Sequence, residues 1–311
     1  MTYAQSVKDE ILKTIKGLRP CCQKSFLLAV LGGASAFNLS GGQLCPTLAT
    51  RDEKLALLSA DIAQKQFNST AQVVVEQKGK NQKYNVNFDG EIAKALGLVQ
   101  TIDGVVQVSE QLPSLSNCCK VAFIKGLFCT FGSVTIPKPA QGSIANMTPS
   151  QSYHLEIALP KISWGDQTFE ILSSMVDGFK VTQREESVLL YLKDAENIGN
   201  MLVAMGAVSG KLMLENVLVE RSIRNNANRQ ANCISANIDK TVAAAEKQIL
   251  AIQKLKKCGK LQRLSDELKE VAEARINNPE ATLLELATNL NVTKNCVNKR
   301  LYKLIELSQK C

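Results

Sequence analysis

Residues 21–37 read CCQKSFLLAVLGGASAF, and 97 positions further on residues 118–134 read CCKVAFIKGLFCTFGSV. The double cysteine recurs, and phenylalanine follows it by four residues in both copies, at Phe26 and Phe123. Each copy is apolar enough, for long enough, to form a buried helix. Small residues crowd one side of each: Ala29, Gly32, Gly33 and Ser35 in the first, Gly126, Thr130 and Gly132 in the second. Where side chains are missing, two helix backbones approach closely. The two copies are therefore expected to meet as the central seam of a pseudo-twofold pair.

The repetition continues past the seam. Phe88-Asp89-Gly90-Glu91 leads to Leu96-Gly97-Leu98-Val99, and Lys193-Asp194-Ala195-Glu196 leads to Met205-Gly206-Ala207-Val208, at displacements of 105 and 109. Two similar units of about 100 residues thus fill the chain to residue 211. In the first, helical periodicity at 21–32 and 54–67 frames strand-like stretches at 35–39, 44–50, 71–76 and 83–88, and a short helix follows. The second repeats the order, with helices at 119–131, 167–176 and 194–205 and strands near 133–136, 152–159, 179–183 and 188–193. The fold class is α+β, with helices on one face of antiparallel strands. Residues 137–150 have the composition of an inserted loop.

A chain of 311 residues with 45% apolar content builds real cores. Lys8, Asp9, Glu10, Lys13 and Lys16 interrupt any apolar core of a secretory signal, and no run nears the ~18 apolar residues of a membrane helix. A cytoplasmic protein is expected. The ten cysteines (Cys21, Cys22, Cys45, Cys118, Cys119, Cys129, Cys233, Cys258, Cys296 and Cys311) show no CxxC spacing, and His154 is the single histidine. That pattern predicts no metal site. Free cysteine packs as a small apolar residue, with redox sensing as the alternative reading. No cofactor and no small-molecule substrate are indicated.

The net charge of +8 is unevenly placed. Residues 221–263 hold ten basic side chains against Asp239 and Glu246, so the rest of the chain is neutral in sum. A local positive stripe is the footprint of a polyanion binder, here double-stranded DNA; a merely solvated helix face normally carries both signs. Within it, RSIRNNANRQANC at 221–233 places Arg221, Arg224, Asn225, Asn228, Arg229 and Asn232 at roughly helical steps, and an Asn-rich face is costly to bury. A linker whose asparagines cap turns is the plainer alternative. Residues 239–257 read as one long helix that stops at Gly259.

LATNLNVTKNCV at 286–297 reads as helix, turn and second helix. Ala287 is small where the helices cross, Asn291 suits a left-handed turn, and Thr293 caps the second helix. Val297, Leu301 and Leu304 bury that helix against Leu283, Leu286 and Leu290. Its other face presents Lys294, Asn295, Asn298, Lys299 and Lys303, where Asn pairs with adenine edges and Lys with guanine or phosphate. Arg300 either contacts the DNA backbone or covers the core edge.

IKGLFCTFG at 124–132 resembles the LAGLIDADG helix of homing endonucleases, and LLAVLGGAS at 27–35 is its weaker twin. With the helix-turn-helix, the whole chain resembles the WhiA family of bacterial regulators, which join a duplicated LAGLIDADG-like domain to a helix-turn-helix. SYHLE at 152–156, the Arg/Asn stretch at 221–233 and Ala236-Asn237 are further matches. The organisation is then a first LAGLIDADG-like half at 1–105, a second at 106–211, a basic connector at 212–260 and a helix-turn-helix domain at 261–311. The resemblance implies a sequence-specific, nucleoid-associated transcriptional regulator of cell division and chromosome segregation, of sporulation in some relatives, with transcription or cell-division proteins as further partners. Endonuclease chemistry needs a carboxylate at the eighth motif position of each helix to hold hard divalent cations. Those positions are Ala34 and Phe131, and no Asp or Glu occurs in 11–51 or 111–155. A non-enzymatic regulator is expected; a metal-dependent homing endonuclease and a protein-interaction scaffold with non-specific DNA affinity are the alternatives.

Overall fold

After α1 (Tyr3–Ile15), the chain runs α2 (Pro20–Ala34), β1 (Ser35–Ser40), β2 (Gln43–Thr50), α3 (Glu53–Phe67), β3 (Ala71–Lys78), β4 (Asn81–Phe88) and α4 (Gly90–Ala95). A hairpin, β5 (Val99–Ile102) and β6 (Val105–Val108), then leads to the second pass: α5 (Asn117–Phe131), β7 (Gly132–Thr135), β8 (His154–Pro160), α6 (Gly165–Met175), β9 (Lys180–Gln183), β10 (Ser187–Leu192) and α7 (Ala195–Ala204). This computed structural model describes residues 2–79, 81–137, 152–160, 164–185 and 187–311; beyond Pro137, the loop expected at 137–150 lies outside them. The two four-stranded antiparallel sheets have the orders β1-β2-β4-β3 and β7-β8-β10-β9, so the sequence repeat is a repeat of topology. Local chemistry repeats with it. Asp89 caps α4 by accepting from the Ile92 N–H, and Asp194 caps α7 by accepting from the Asn197 N–H. Gly97 and Gly206, at φ 72° and 80°, close the same two helices.

The two passes share one core. Along β8 the side chains alternate, with Leu155, Ile157 and Leu159 inward. At the centre α2 and α5 bury Phe26, Leu27, Val30, Phe123, Ile124, Leu127 and Phe128 completely, each contributing roughly 1.5–3 kcal/mol relative to exposure. Of the small residues expected at this seam, Ala29 and Gly126 make the closest approach: a Cβ on Gly126 would lie 2.5 Å from the Phe26 carbonyl oxygen and 2.8 Å from the Ala29 Cβ. Gly33 leaves room for the Phe131 ring, which a Cβ would meet at 2.3 Å. Ser35 begins β1, outside the helix, and the remaining three serve different neighbours. Gly32 admits the Trp164 ring, Gly132 at the start of β7 lies against Phe128 in the last turn of α5, and the Thr130 hydroxyl donates back to the Gly126 carbonyl at 2.8 Å.

The seam is not purely apolar packing. Lys125 is buried, and its ammonium donates to Thr14 Oγ1 of α1 at 2.9 Å. Burial pulls its pKa below the ordinary lysine value. A base with a lowered folded-state pKa binds its proton less well folded than unfolded. Its charge therefore costs stability at neutral pH, and that cost fades as pH rises from the folded value toward 10.5. Lys125→Met should accordingly be more stable than the parent at pH 7, with the advantage shrinking as pH approaches 10.5. Paired urea melts at several pH values would show this; an advantage independent of pH would refute the linkage.

A single helix, α8 (Val208–Lys257), follows. Its start is capped by the Glu10 carboxylate, which accepts from the N–H groups of Ser209 and Gly210 at 2.8 and 3.1 Å. The chain forms two compact units, Met1–Glu220 and Arg221–Cys311. The halves expected at 1–105 and 106–211 both lie in the first. The connector expected at 212–260 is divided between the units, because helix α8 begins before it and continues past residue 220 without a break.

The second unit contains the rest of α8, a 3-10 turn (Leu261–Arg263), α9 (Asp266–Asn277), α10 (Leu283–Asn289) and α11 (Lys294–Gln309). Its separate core joins Ile252 and Leu255 of α8 to Val271, Leu286, Val297, Leu301 and Leu304. Arg275, 2% exposed, secures the α9–α10 loop by donating to the carbonyls of Ala281, Pro279 and Asn278 at 2.6, 3.4 and 3.5 Å. Cys258 and Cys311, 53 positions apart, are joined by a disulfide. The reading of all ten cysteines as free packing residues fails at these two, because the fold brings the chain end beside the end of α8.

Candidate nucleic-acid interface

The helix-turn-helix is built from its caps inward. Thr282 and Glu285 form a reciprocal capping box at the start of α10. Asn291 takes the left-handed conformation at φ 54°, and Thr293 caps α11 by accepting from the Cys296 N–H at 3.3 Å. Both are the roles the sequence assigns to them. Val297, Leu301 and Leu304 pack with Leu283, Leu286 and Leu290, which fixes the rotation of α11. Thr293, Lys294, Asn295, Asn298, Lys299 and Lys303 are consequently exposed. Among the described residues, the side chains of Lys294, Asn295, Asn298 and Lys299 make no hydrogen bond within the protein. Their donors and acceptors are available to an external partner.

Arg300 differs. It is 18% exposed in its side chain and pairs with Glu267 of α9 at 2.6 Å, so of its two readings the structure supports covering the core edge. Lys303 is exposed but pairs with Glu306 at 3.0 Å, a surface contact that exchanges readily for a phosphate. One residue was missed. Tyr302 is 72% exposed and lies one turn beyond Asn298 and two beyond Asn295, on their face. The i, i+3, i+7 spacing of Asn295, Asn298 and Tyr302 was the available signal.

In α8, Arg221, Arg224, Asn225, Asn228, Arg229 and Asn232 fall within an arc of roughly 140° at 100° per residue. Arg224 and Asn228 are half-buried and the other four exposed. The stretch is continuous helix, not a linker with turns, so the asparagines cap nothing. Of the ten basic residues in 221–263, all but Arg224 are exposed. Outside that arc the helix carries Ile223, Ile234 and Ile238, also exposed.

At the other motif, α2 ends in Ala34 and α5 in Phe131, neither able to ligate a cation. Two acids that follow the motifs in sequence, Asp52 and Glu156, are occupied. Asp52 caps α3, accepting from Lys54 and Leu55 N–H and from Gln5 Nε2 at 3.0, 3.2 and 2.9 Å. Glu156 lies 2.9 Å from His154 Nε2. Among the described residues one group of three or more potential ligands comes together, and it contains no carboxylate: Cys21, Cys22, Cys118 and Cys119. Spacing along the chain does not register this group, because two copies of a repeat bring its members together.

These features define a class: a duplicated LAGLIDADG-like body continued by a helix-turn-helix. The WhiA LAGLIDADG-like domain family matches residues 120–224, and the WhiA C-terminal HTH domain family matches residues 227–308. The chain is 30% identical over 324 residues to the probable cell division protein WhiA of Alkaliphilus metalliredigens, covering 100% of this chain and 98% of that protein. It is likewise 30% identical to that of Lachnoclostridium phytofermentans, covering 99% and 98%. In fold it is similar to full-length DUF199/WhiA from Thermatoga maritima, with a TM-score of 0.58 and 21% identity over 100% of this chain and 99% of that one. The chain belongs to the WhiA family. Among the described residues no helix is long and apolar enough to cross a membrane.

Proposed function

We propose that this protein is a sequence-specific DNA-binding regulator that acts in cell division and does not cut DNA. The observation that carries the reading is the exposed, internally unbonded set Lys294, Asn295, Asn298 and Lys299 on a helix whose other face is locked into a core. A helix held in this way enters a major groove, with Asn bidentate to adenine and Lys on guanine or phosphate. The basic and Asn-rich face of α8 contacts phosphates and carries no sequence information. Ala34 and Phe131 leave the two LAGLIDADG-like helices without the carboxylates that hydrolysis needs. The names of the relatives support the cell-division role; chromosome segregation, sporulation in some relatives and residence at the nucleoid extend the same proposal.

The test is selection from a fragmented genomic library at ~150 mM salt with Mg²⁺, comparing the full chain with Asn295→Ala/Asn298→Ala. Point variants are preferable to cutting at residue 260, which would uncover Ile252 and Leu255. The full chain should enrich a discrete, intact motif. Each asparagine lost should cost about 1–3 kcal/mol of discrimination at its base pair. Equal enrichment by the variant, or fragments cut at one site, would overturn the reading. The exposed Ile223, Ile234 and Ile238 favour a second role for α8, as a docking face for a transcription or cell-division protein. Retention of DNA without any motif would leave that scaffold reading in its place.

A further inference from the structure

Helices α2 and α5 start together, and each carries two cysteines in its first turn. Cys21 and Cys22 follow Pro20, while Cys118 and Cys119 follow Asn117. The pairs are 97 residues apart in sequence, yet all four Sγ atoms lie within 4.8 Å of one another, with Cys21 and Cys22 at 4.0 Å. Two further contacts hold the pairs together: Cys22 Sγ lies 3.5 Å from the Cys118 carbonyl, and the Ser25 hydroxyl donates to the Cys119 carbonyl at 2.8 Å. This end of the seam is roughly 20 Å from Ala34, at 1.5 Å of rise per residue. It is therefore separate from the vestigial nuclease positions.

A tetrahedral ion with metal–sulfur bonds of ~2.3 Å holds its four sulfurs about 3.8 Å apart. The cluster is within 1 Å of that spacing, a gap that small side-chain rotations close. Two of the thiols are buried (Cys22 and Cys119) and two exposed (Cys21 and Cys118). An open cleft of ≈ 340 Å³, lined by Cys21, Lys24, Ser25, Ser116 and Cys119, gives an ion a path in. Four thiolates around a divalent ion carry net negative charge, and the first turns of both helices present their positive ends to it. The Ser116 hydroxyl, which makes no capping bond to its own helix, lies 3.3 Å from Cys118 Sγ, placed to steady that ligand.

We propose that Cys21, Cys22, Cys118 and Cys119 bind one Zn²⁺ as a Cys₄ site that clamps the two repeats together at the open end of their seam. Four sulfurs this close suit a single ion, since a cluster bridged by inorganic sulfide needs a wider cage. Binding forms four Zn–S bonds, and the protons of the thiols pass to solvent; no electron is transferred. The proposal is independent of the DNA-binding reading, because the cluster and α11 lie in different units.

The experiment is metal analysis of the full-length chain, prepared anaerobically under reducing conditions with zinc supplied, beside Cys21→Ser/Cys22→Ser/Cys118→Ser/Cys119→Ser and Cys258→Ser/Cys311→Ser. The parent and the second variant should hold about one zinc per chain, and the fourfold variant less than about a tenth as much. Cobalt(II) in place of zinc should give the intense visible bands of a tetrahedral tetrathiolate in the parent. Should the fourfold variant fold poorly, Cys118→Ser alters an exposed side chain. It should keep the parent's circular dichroism while losing at least about tenfold in zinc affinity against a chromophoric chelator. Zinc below about a tenth of an equivalent in the reduced parent, zinc unaffected by Cys118→Ser, or disulfide-linked peptides joining the two pairs in anaerobic material would each overturn the proposal.

Discussion

Raising the salt from 50 to 200 mM is expected to weaken the protein's hold on DNA by about 10³-fold. The argument is one of counterions. Each phosphate neutralised releases condensed cations, so the logarithm of affinity falls against that of salt with a slope of about −0.9 per contact. Six contacts give a slope of roughly −5.4, and a fourfold rise in salt then costs about 10³. The estimate of six is modest for α8, which carries seven exposed basic residues from Arg221 to Lys257. The effect separates the two interfaces. Arg229→Ala or Lys240→Ala should each lower the slope by about 1 and weaken all sequences alike, whereas Asn295→Ala should leave the slope and remove preference at one base pair. Fluorescence anisotropy with one labelled duplex across a salt series reads the slope directly. A flat response would remove α8 from the DNA interface and leave α11 to act alone.

How much of this could be read before the structure depends on how far apart in sequence the cooperating residues lie. The turn of the helix-turn-helix was legible to the residue, since Asn291 and Thr293 act through neighbours three or four positions away. The duplication was legible because repeated sequence folds twice into the same order of strands. The β5–β6 hairpin was legible but passed over: Asp103-Gly104, at φ 52° and 80°, is a strong two-residue hairpin signal. Other features depend on tertiary neighbours. Lys125 depends on Thr14, 111 positions away, which accepts from its ammonium. Gly32 and Gly132 have the composition of a seam, yet only the packing shows that they accommodate Trp164 and Phe128 instead. The nearness of the four thiols escaped for the same reason, because spacing along a chain does not show which residues two copies of a repeat bring together.

The seam itself gives the largest expected effect on stability, and it can be tested with one kind of substitution at two places. Alanine in place of glycine within a helix ordinarily stabilises by about 0.5–1 kcal/mol, by reducing the freedom of the unfolded chain. Gly199 in α7 should follow that rule, since an added Cβ would meet its nearest neighbour, a Leu214 methyl, at 3.7 Å, which is ordinary contact. Gly126 should reverse it. There the Cβ would lie 2.5 Å from the Phe26 carbonyl oxygen and 2.8 Å from the Ala29 Cβ, both parts of a rigid helix and neither the end of a flexible side chain. Relief requires α2 and α5 to separate, which loosens the fully buried Phe26, Phe123, Ile124 and Leu127 around the contact. Overpacking of this kind costs about 1–3 kcal/mol for alanine, and Gly126→Val, larger and branched, should cost about 4–5 kcal/mol, a large share of a domain's ordinary 5–15 kcal/mol. Urea unfolding followed by Trp164 fluorescence reports the first unit selectively, because this tryptophan is the chain's single one and packs against Phe123 of the seam at 6.2 Å between ring centroids. Gly199→Ala should move the midpoint up and Gly126→Ala down. If both moved up, the close approach of the two helices would not be the feature that holds the repeats together.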